Sequence, residues 1–404
     1  MGKKKKKWMK FRHRLVRNIA FAILYPYSKW KYGITVDRFK EQGDRAYLIL
    51  FNHQTAFDQF FVGMSFRGPV YYVASEDLFS KGWVSSLIRW LVAPIPIKKQ
   101  TTDVSAVMNC IRVAREGGTI AIAPEGNRTY SGKTEYMNSA VAPLAKKLKL
   151  PIALYRIEGG YGVHPRWSDV LRKGKMHSYV SRVIEPEEYK DMTDEELFSA
   201  IENGLAIDEG VSDAEFFSDK RAEYLERAMY VCPYCGLSEF ESNGNVIECK
   251  KCNRKIEYGT DKKLSGIDFS FPFNYVTEWY DYQKDFICSL DVMKYLEEPI
   301  YRDIASLSEV IVYKDKLALR KDCAISLYGD RIVIDEEIED SIVYPFSEIS
   351  AVSVLGKNKL NIYYGNSVYQ LKGGKRFNAL KYVNIYFCHK NITKGDKDGK
   401  FLGL

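Results

Sequence analysis

Four of the eight cysteines fall in two pairs, Cys232-Pro-Tyr-Cys235 and Cys249-Lys-Lys-Cys252, with thirteen residues between them. Nothing else in the chain restricts the backbone so tightly. Each C-x-x-C turn presents two sulfurs, and two such knuckles close together surround one tetrahedral ion. The spacing predicts a zinc ribbon over residues 230–260, with Cys232, Cys235, Cys249 and Cys252 holding a structural Zn2+. A closed set of four thiolates leaves no position for an activated water, so the metal is read as architectural. Cys110, Cys288, Cys323 and Cys388 stand singly in apolar contexts and read as core residues in a reducing compartment.

The ribbon divides 404 residues into a long N-terminal part and a shorter C-terminal one. From about 41 to 229, short apolar runs alternate with helical stretches, the pattern of an α/β domain. Strands are predicted at 46–51, 70–74, 119–123, 151–157 and 178–184, and helices at 102–116 and 134–150. Two capping boxes, Thr193 with Glu196 and Ser212 with Glu215, announce further helices. After the ribbon, residues 261–404 are strand-rich, with strands predicted at 310–320, 323–335, 341–344, 349–355 and a hairpin over 360–371. A helix is predicted at 376–389, so this end resembles a small pleckstrin-homology or GRAM-type barrel in architecture.

Charge is distributed unevenly. The first 38 residues hold twelve basic side chains and one acid, +11, while the total is +8, so the rest sums to −3. Trp8, Phe11, Leu15, Ile19 and Ile23 recur at helical spacing, with Lys10, Arg14 and Arg17 on another face. Residues 1–40 therefore read as a basic amphipathic segment lying on an anionic membrane surface, as a peripheral or monotopic protein at the cytoplasmic face. A helix packed on the core with a solvated polar face is the alternative. No apolar run reaches the roughly 20 residues of a spanning helix, and no secretory signal fits. A basic excess confined to one terminus does not suit nucleic-acid binding, and Glu239, Glu241, Glu248 and Glu257 interrupt the basic residues of the ribbon.

Two segments carry chemistry. In Ala46-Tyr-Leu-Ile-Leu-Phe51-Asn52-His53-Gln-Thr-Ala-Phe-Asp58, a histidine follows a buried strand and a carboxylate follows five residues later. Within a helix these side chains would diverge by about 140°, so they meet only if His53 occupies the turn before it. There Asp58 would fix the ring tautomer while the other nitrogen takes a proton, although a structural histidine reads the same way. In the second, Ile120-Ala-Ile-Ala-Pro124-Glu125-Gly126-Asn127-Arg128, a strand again enters a polar loop. Gly126 permits close backbone approach, and Arg128 offers a charged fork for phosphate, with Glu125 placed to orient it or a substrate hydroxyl. An ordinary turn with an internal ion pair is the alternative.

Taken together, Asn52-His53-x-x-x-x-Asp58 and Pro124-Glu125-Gly126-Asn127-Arg128 resemble the first and third sequence blocks of the glycerolipid acyltransferases, known best as 1-acylglycerol-3-phosphate acyltransferases. Ala93-Pro-Ile-Pro-Ile-Lys98-Lys99 looks like the second block and Leu150-Pro151-Ile-Ala-Leu like the fourth, so the resemblance covers residues 1–210. The second block usually carries an arginine. Lys98 and Lys99 stand there instead, keeping charge but not the bidentate fork. The resemblance implies an α/β acyltransferase core using an acyl thioester, from acyl-carrier protein or coenzyme A, and a lysophospholipid acceptor. It implies His53 as base, Asp58 orienting it, and Glu125, Gly126, Arg128, Lys98 and Lys99 binding substrate, without a catalytic cofactor. The rival expectation is a non-catalytic lipid-binding adaptor that recruits partners through the ribbon and the C-terminal domain.

Overall fold

A computed structural model describes residues 7–97, 103–311 and 314–395. Lys98, Lys99 and the lysines before Lys7 lie outside the described residues. The core elements are α1 (Phe11–Tyr32), β1 (Ile34–Val36), β2 (Leu48–Phe51), α2 (Asp58–Ser65), β3 (Val70–Ser75), α3 (Trp83–Val92), β4 (Ile95–Ile97), α4 (Val104–Arg115), β5 (Thr119–Ile122), α5 (Val141–Leu148), β6 (Ile152–Glu158), α6 (Gly160–Val163), β7 (Met176–Ile184), α7 (Pro186–Tyr189) and α8 (Asp194–Leu205). Their seven strands form one sheet in the order β1-β7-β6-β2-β5-β3-β4. From β6 to β4 every pairing is parallel. β7 runs antiparallel to β6, and β1 is parallel to β7.

Parallel strands buried on both faces read as continuous apolar runs, and all four residues of β2 are buried. Side-chain alternation sends Leu48 and Leu50 to one face, against α4, α5 and α8, and Ile49 and Phe51 to the other, with Tyr32, Phe61 and Val62. The result is a three-layer α/β core.

Two helix expectations need correction. The helix predicted over 134–150 begins only at Val141, because Pro143 lacks an amide and its ring clashes with the carbonyl four residues back, so it is accommodated in the first turn. Ser212 and Glu215 start no helix. Lys262 Nζ donates to Ser212 Oγ at 2.5 Å, and the Phe216 amide donates to the Thr260 carbonyl at 2.8 Å, which holds this stretch as an extended connector. The box at Thr193 does cap α8, with the Glu196 amide 3.1 Å from Thr193 Oγ1.

The later elements are β8 (Val231–Cys232), β9 (Gly236–Leu237), β10 (Phe240–Asn243), β11 (Val246–Cys249), β12 (Lys255–Tyr258), β13 (Leu264–Gly266), α9 (Val276–Cys288), β14 (Tyr301–Glu309), β15 (Leu317–Leu327), β16 (Arg331–Ile334), β17 (Ile342–Pro345), β18 (Ile349–Leu355), β19 (Lys359–Tyr364), β20 (Ser367–Gly373) and α10 (Leu380–Lys394). β14 to β20 form a seven-stranded antiparallel half-barrel, ordered β17-β16-β15-β14-β20-β19-β18, with α10 against β18. The predicted strands at 310–320 and 323–335 are displaced. β14 lies upstream at 301–309 and β15 runs unbroken through 317–327, passing Asp322 at a positive φ. β14 is missed because it mixes apolar with polar residues and joins β15 and β20 only through long-range pairing. One hydrophobic cluster joins Tyr130, Tyr161 and Trp167 of the core to the four-cysteine segment, α9, the half-barrel and α10. The C-terminal half thus packs directly onto loops that leave the α/β sheet.

Candidate active site

β2 and β5 are adjacent and parallel, with Leu50 opposite Ile122. Three residues beyond each lie His53 and Glu125, so the register itself sets the two loops against each other. Ligand sites of open α/β sheets form at this end, beyond the carboxyl ends of the strands. The connection is direct, since the His53 amide donates to Glu125 Oε1 at 2.9 Å. Asn52 braces the other side, exchanging two 2.8 Å hydrogen bonds with the backbone of Ile157 in β6.

His53 occupies the turn and Asp58 is the first residue of α2, the arrangement their spacing requires. Asp58 Oδ2 lies 2.7 Å from His53 Nδ1. The carboxylate is fully buried and also accepts from the Gln54 amide at 2.6 Å, the Thr55 amide at 2.9 Å and Thr55 Oγ1 at 2.7 Å. Donors converging on it from one turn hold it as an acceptor, so Nδ1 of His53 carries the proton and Nε2 is left with its lone pair. The His53 side chain is one-quarter exposed. Thr55 is a site residue that spacing did not reveal, because a threonine in a turn has no distinguishing sequence signal.

Glu125 is buried, and burial pushes its carboxyl up to about 8 against the opposing pull of the His53 amide. Its partner is that amide, not the Arg128 guanidinium, so the internal ion pair considered from sequence does not describe this loop. Gly126 takes a positive φ of 70°, which lets the loop turn back immediately after Glu125. Arg128 is buried too, and burial followed by the nearby Arg166 charge lowers it to about 10. Its Nη1 has no hydrogen-bond partner among the described residues. The Arg128 carbonyl accepts from Arg166 Nη1 at 2.7 Å, and the Arg166 guanidinium covers the Tyr130 ring at 4.3 Å.

Comparison with known proteins finds relatives of the part of the chain that carries this site. Residues 34–156, which contain His53, Asp58, Glu125 and Arg128, match the family model described as Acyltransferase. Over these residues the α/β core resembles the acyltransferase family. A 1-acyl-sn-glycerol-3-phosphate acyltransferase of Bacillus subtilis (strain 168) is 22% identical over 163 residues, 40% of this chain and 78% of that protein. The crystal structure of the 1-acyl-sn-glycerophosphate (LPA) acyltransferase from Thermotoga maritima is 22% identical, with a TM-score of 0.38, covering 48% of this chain and 75% of that one. The matched core brings His53, Asp58, Glu125, Gly126 and Arg128 together at one end of the sheet.

The four cysteines are also brought together, with their sulfurs all within 4.8 Å of one another. Cys232 and Cys252 sulfurs are 3.8 Å apart, and those of Cys235 and Cys249 are 3.5 Å apart. Tetrahedral zinc with Zn–S bonds near 2.3 Å separates its sulfurs by about 3.8 Å, so this donor set fits such an ion.

The N-terminal helix is divided between two environments. Phe11, Leu15, Ile19 and Ile23 are exposed, and α3 adds exposed Trp83, Leu87 and Trp90 beside them. Arg12 ties the two helices, donating to the Trp90 carbonyl at 2.7 Å. Trp8 departs from the predicted stripe. It precedes the helix, and its indole donates to the Ala93 carbonyl at 3.0 Å. Arg17 likewise turns inward to the carbonyls of Gly63 and Phe66. No helix among the described residues is long and apolar enough to cross a membrane.

Proposed function

We propose that this acyltransferase moves a fatty acyl group from a thioester, on acyl-carrier protein or coenzyme A, to the free hydroxyl of a lysophospholipid. The acceptor that fits best is 1-acyl-glycerol-3-phosphate, which would yield phosphatidic acid. The observation that carries this reading is the His53–Asp58 pair beside a buried arginine with an unmet donor. A glycerol hydroxyl is a weak nucleophile at neutral pH, so His53 Nε2 takes its proton as the oxygen attacks the thioester carbon. Collapse of the tetrahedral species breaks the C–S bond, and the imidazolium returns the proton to the departing thiolate. Asp58 holds the tautomer and offsets the charge that forms on the ring. Arg128 orients the acceptor through its phosphate, and Lys98 and Lys99 are assigned to the same anion.

The exposed residues of α1 and α3 serve as the membrane contact in this reading, so that acyl chains reach the site without crossing water. Their basic neighbours suit an anionic, cytoplasm-facing leaflet. A structural Zn2+ held by Cys232, Cys235, Cys249 and Cys252 supplies cross-linking of the segment between core and half-barrel. The deciding experiment measures acyl transfer to a panel of lysophospholipids, with both thioester donors. His53→Ala should abolish turnover while the thermal transition is retained, and a folded variant that still turns over would refute the mechanism.

A further inference from the structure

The loops after β6, β2 and β5, three consecutive parallel strands, open at the same end of the sheet. His164 closes α6 in the loop after β6. It is buried, and its ring lies 6.3 Å from that of Tyr32. Tyr32 is within reach of the charges on both Asp58 and Arg128, and the Arg128 charge also bears on His164. His164 is therefore a neighbour of the acyl-transfer site, although it belongs to none of the motifs that identify that site.

Its other neighbour comes from the half-barrel. Lys357, in the turn between β18 and β19, places Nζ 3.3 Å from His164 Nε2. Lys357 is also paired with Asp169 at 2.8 Å and donates to the Ser168 carbonyl at 2.5 Å. An ammonium group has hydrogens to give and no lone pair, so Nε2 must accept and the ring proton must reside on Nδ1. That Nδ1 is buried and has no partner among the described residues, as is true of Arg128 Nη1 and of both amide atoms of Gln54, the residue after His53. Buried donors are costly to leave unmet, and three of them, His164 Nδ1, Arg128 Nη1 and Gln54 Nε2, lie on the loops at this one end of the sheet. Burial, the Lys357 charge and the Arg128 charge hold the imidazole neutral, lowering it to about 3, so it acts as a donor without adding charge.

We infer that His164 Nδ1–H is a second donor, beside Arg128, to the anionic head group of the acceptor. Lys357 of the half-barrel is the positioning residue that fixes the required tautomer. The inference rests on the acceptor chemistry proposed above and extends it, because the C-terminal half then contributes to substrate binding. Arg166 reinforces the same link by joining the Arg128 carbonyl to the Val354 carbonyl of β18.

The test uses the full chain with glycerol 3-phosphate as probe, binding being followed by calorimetry and the histidine tautomers by long-range proton–nitrogen NMR. Wild type should bind with the His164 proton on Nδ1, and His164→Phe should raise Kd roughly 10- to 100-fold, as expected for a hydrogen bond to a charged group. His164→Asn, whose amide nitrogen stands near the Nδ1 position, should recover binding to within about fivefold of wild type. Lys357→Met should leave a mixture of tautomers and weaken binding, with Lys357→Arg restoring both. The inference is overturned if wild type fails to bind the probe or carries the proton on Nε2. It is equally overturned if a folded His164→Phe binds within about twofold of wild type. Acyl transfer by the same proteins separates the two readings. Absence of transfer from wild type would sink the acyltransferase assignment while probe binding still judged His164, and transfer with an unchanged acceptor KM in His164→Phe would sink the role of His164 alone.

Discussion

Glu125→Gln offers a quantitative test of how the site is built. In the folded protein burial holds the Glu125 carboxyl near 8, whereas its ordinary value is 4.5. The unfolded chain therefore releases this proton first. A carboxyl raised in the folded state carries no penalty below pH 4.5 and an increasing one as pH rises toward 8, at about 1.4 kcal/mol per pH unit. Between pH 5 and pH 8 the wild type should lose about 3 kcal/mol of stability through this one group. Glutamine keeps an oxygen for the His53 amide and cannot ionise. Urea unfolding of both proteins at the two pH values, compared at equal m, isolates the effect, because every other titrating group cancels in the difference. The variant should gain on the wild type by about 3 kcal/mol from pH 5 to pH 8, whatever constant offset the amide introduces. A gap that stays the same at both values, or narrows, would refute the view that Glu125 is a buried neutral acid supporting the His53 turn.

Asp58→Asn removes the charge and places an amide against the donors of His53, Gln54 and Thr55, so kcat should fall by about 10²- to 10⁴-fold and the melting temperature should drop. A kcat within about tenfold of wild type would show that Asp58 is not orienting the base. Purified protein should contain zinc near one equivalent per chain by about the stoichiometry of a four-thiolate site. Cys249→Ser should lose the metal along with hydrogen-exchange protection over 230–290, and a folded zinc-free wild type would refute the site. For the membrane face, Leu15→Asp with Trp90→Ala should cut co-sedimentation with anionic vesicles by about tenfold or more while the fold is kept. Unchanged co-sedimentation would remove α1 and α3 from that role. Substitutions suit this better than deletion of the helix, because His13, Ser28 and Tyr32 on its inner face are buried.

Sequence alone determined the features that depend on short separations. The period of the apolar runs indicated the α/β core, five-residue spacing required His53 to precede the helix that Asp58 begins, and the two C-x-x-C turns drew four sulfurs together. Each is a local consequence of backbone geometry, which a few adjacent residues specify. Other local signals were present and outweighed: Pro143 delayed α5, and the capping residues at Ser212 and Glu215 were taken by Lys262 and Thr260. Tertiary structure alone decided which loops meet. The β2–β5 register set Glu125 against His53 across 72 residues, and the half-barrel brought Lys357 to His164 across 193. No periodicity spans such distances, since strand order and packing between distant parts of the chain are settled by burial of the whole core. His164 thus reads in the sequence as an isolated histidine, and its unmet donor acquires meaning only when the fold places Arg128 on one side and a lysine of the C-terminal half on the other.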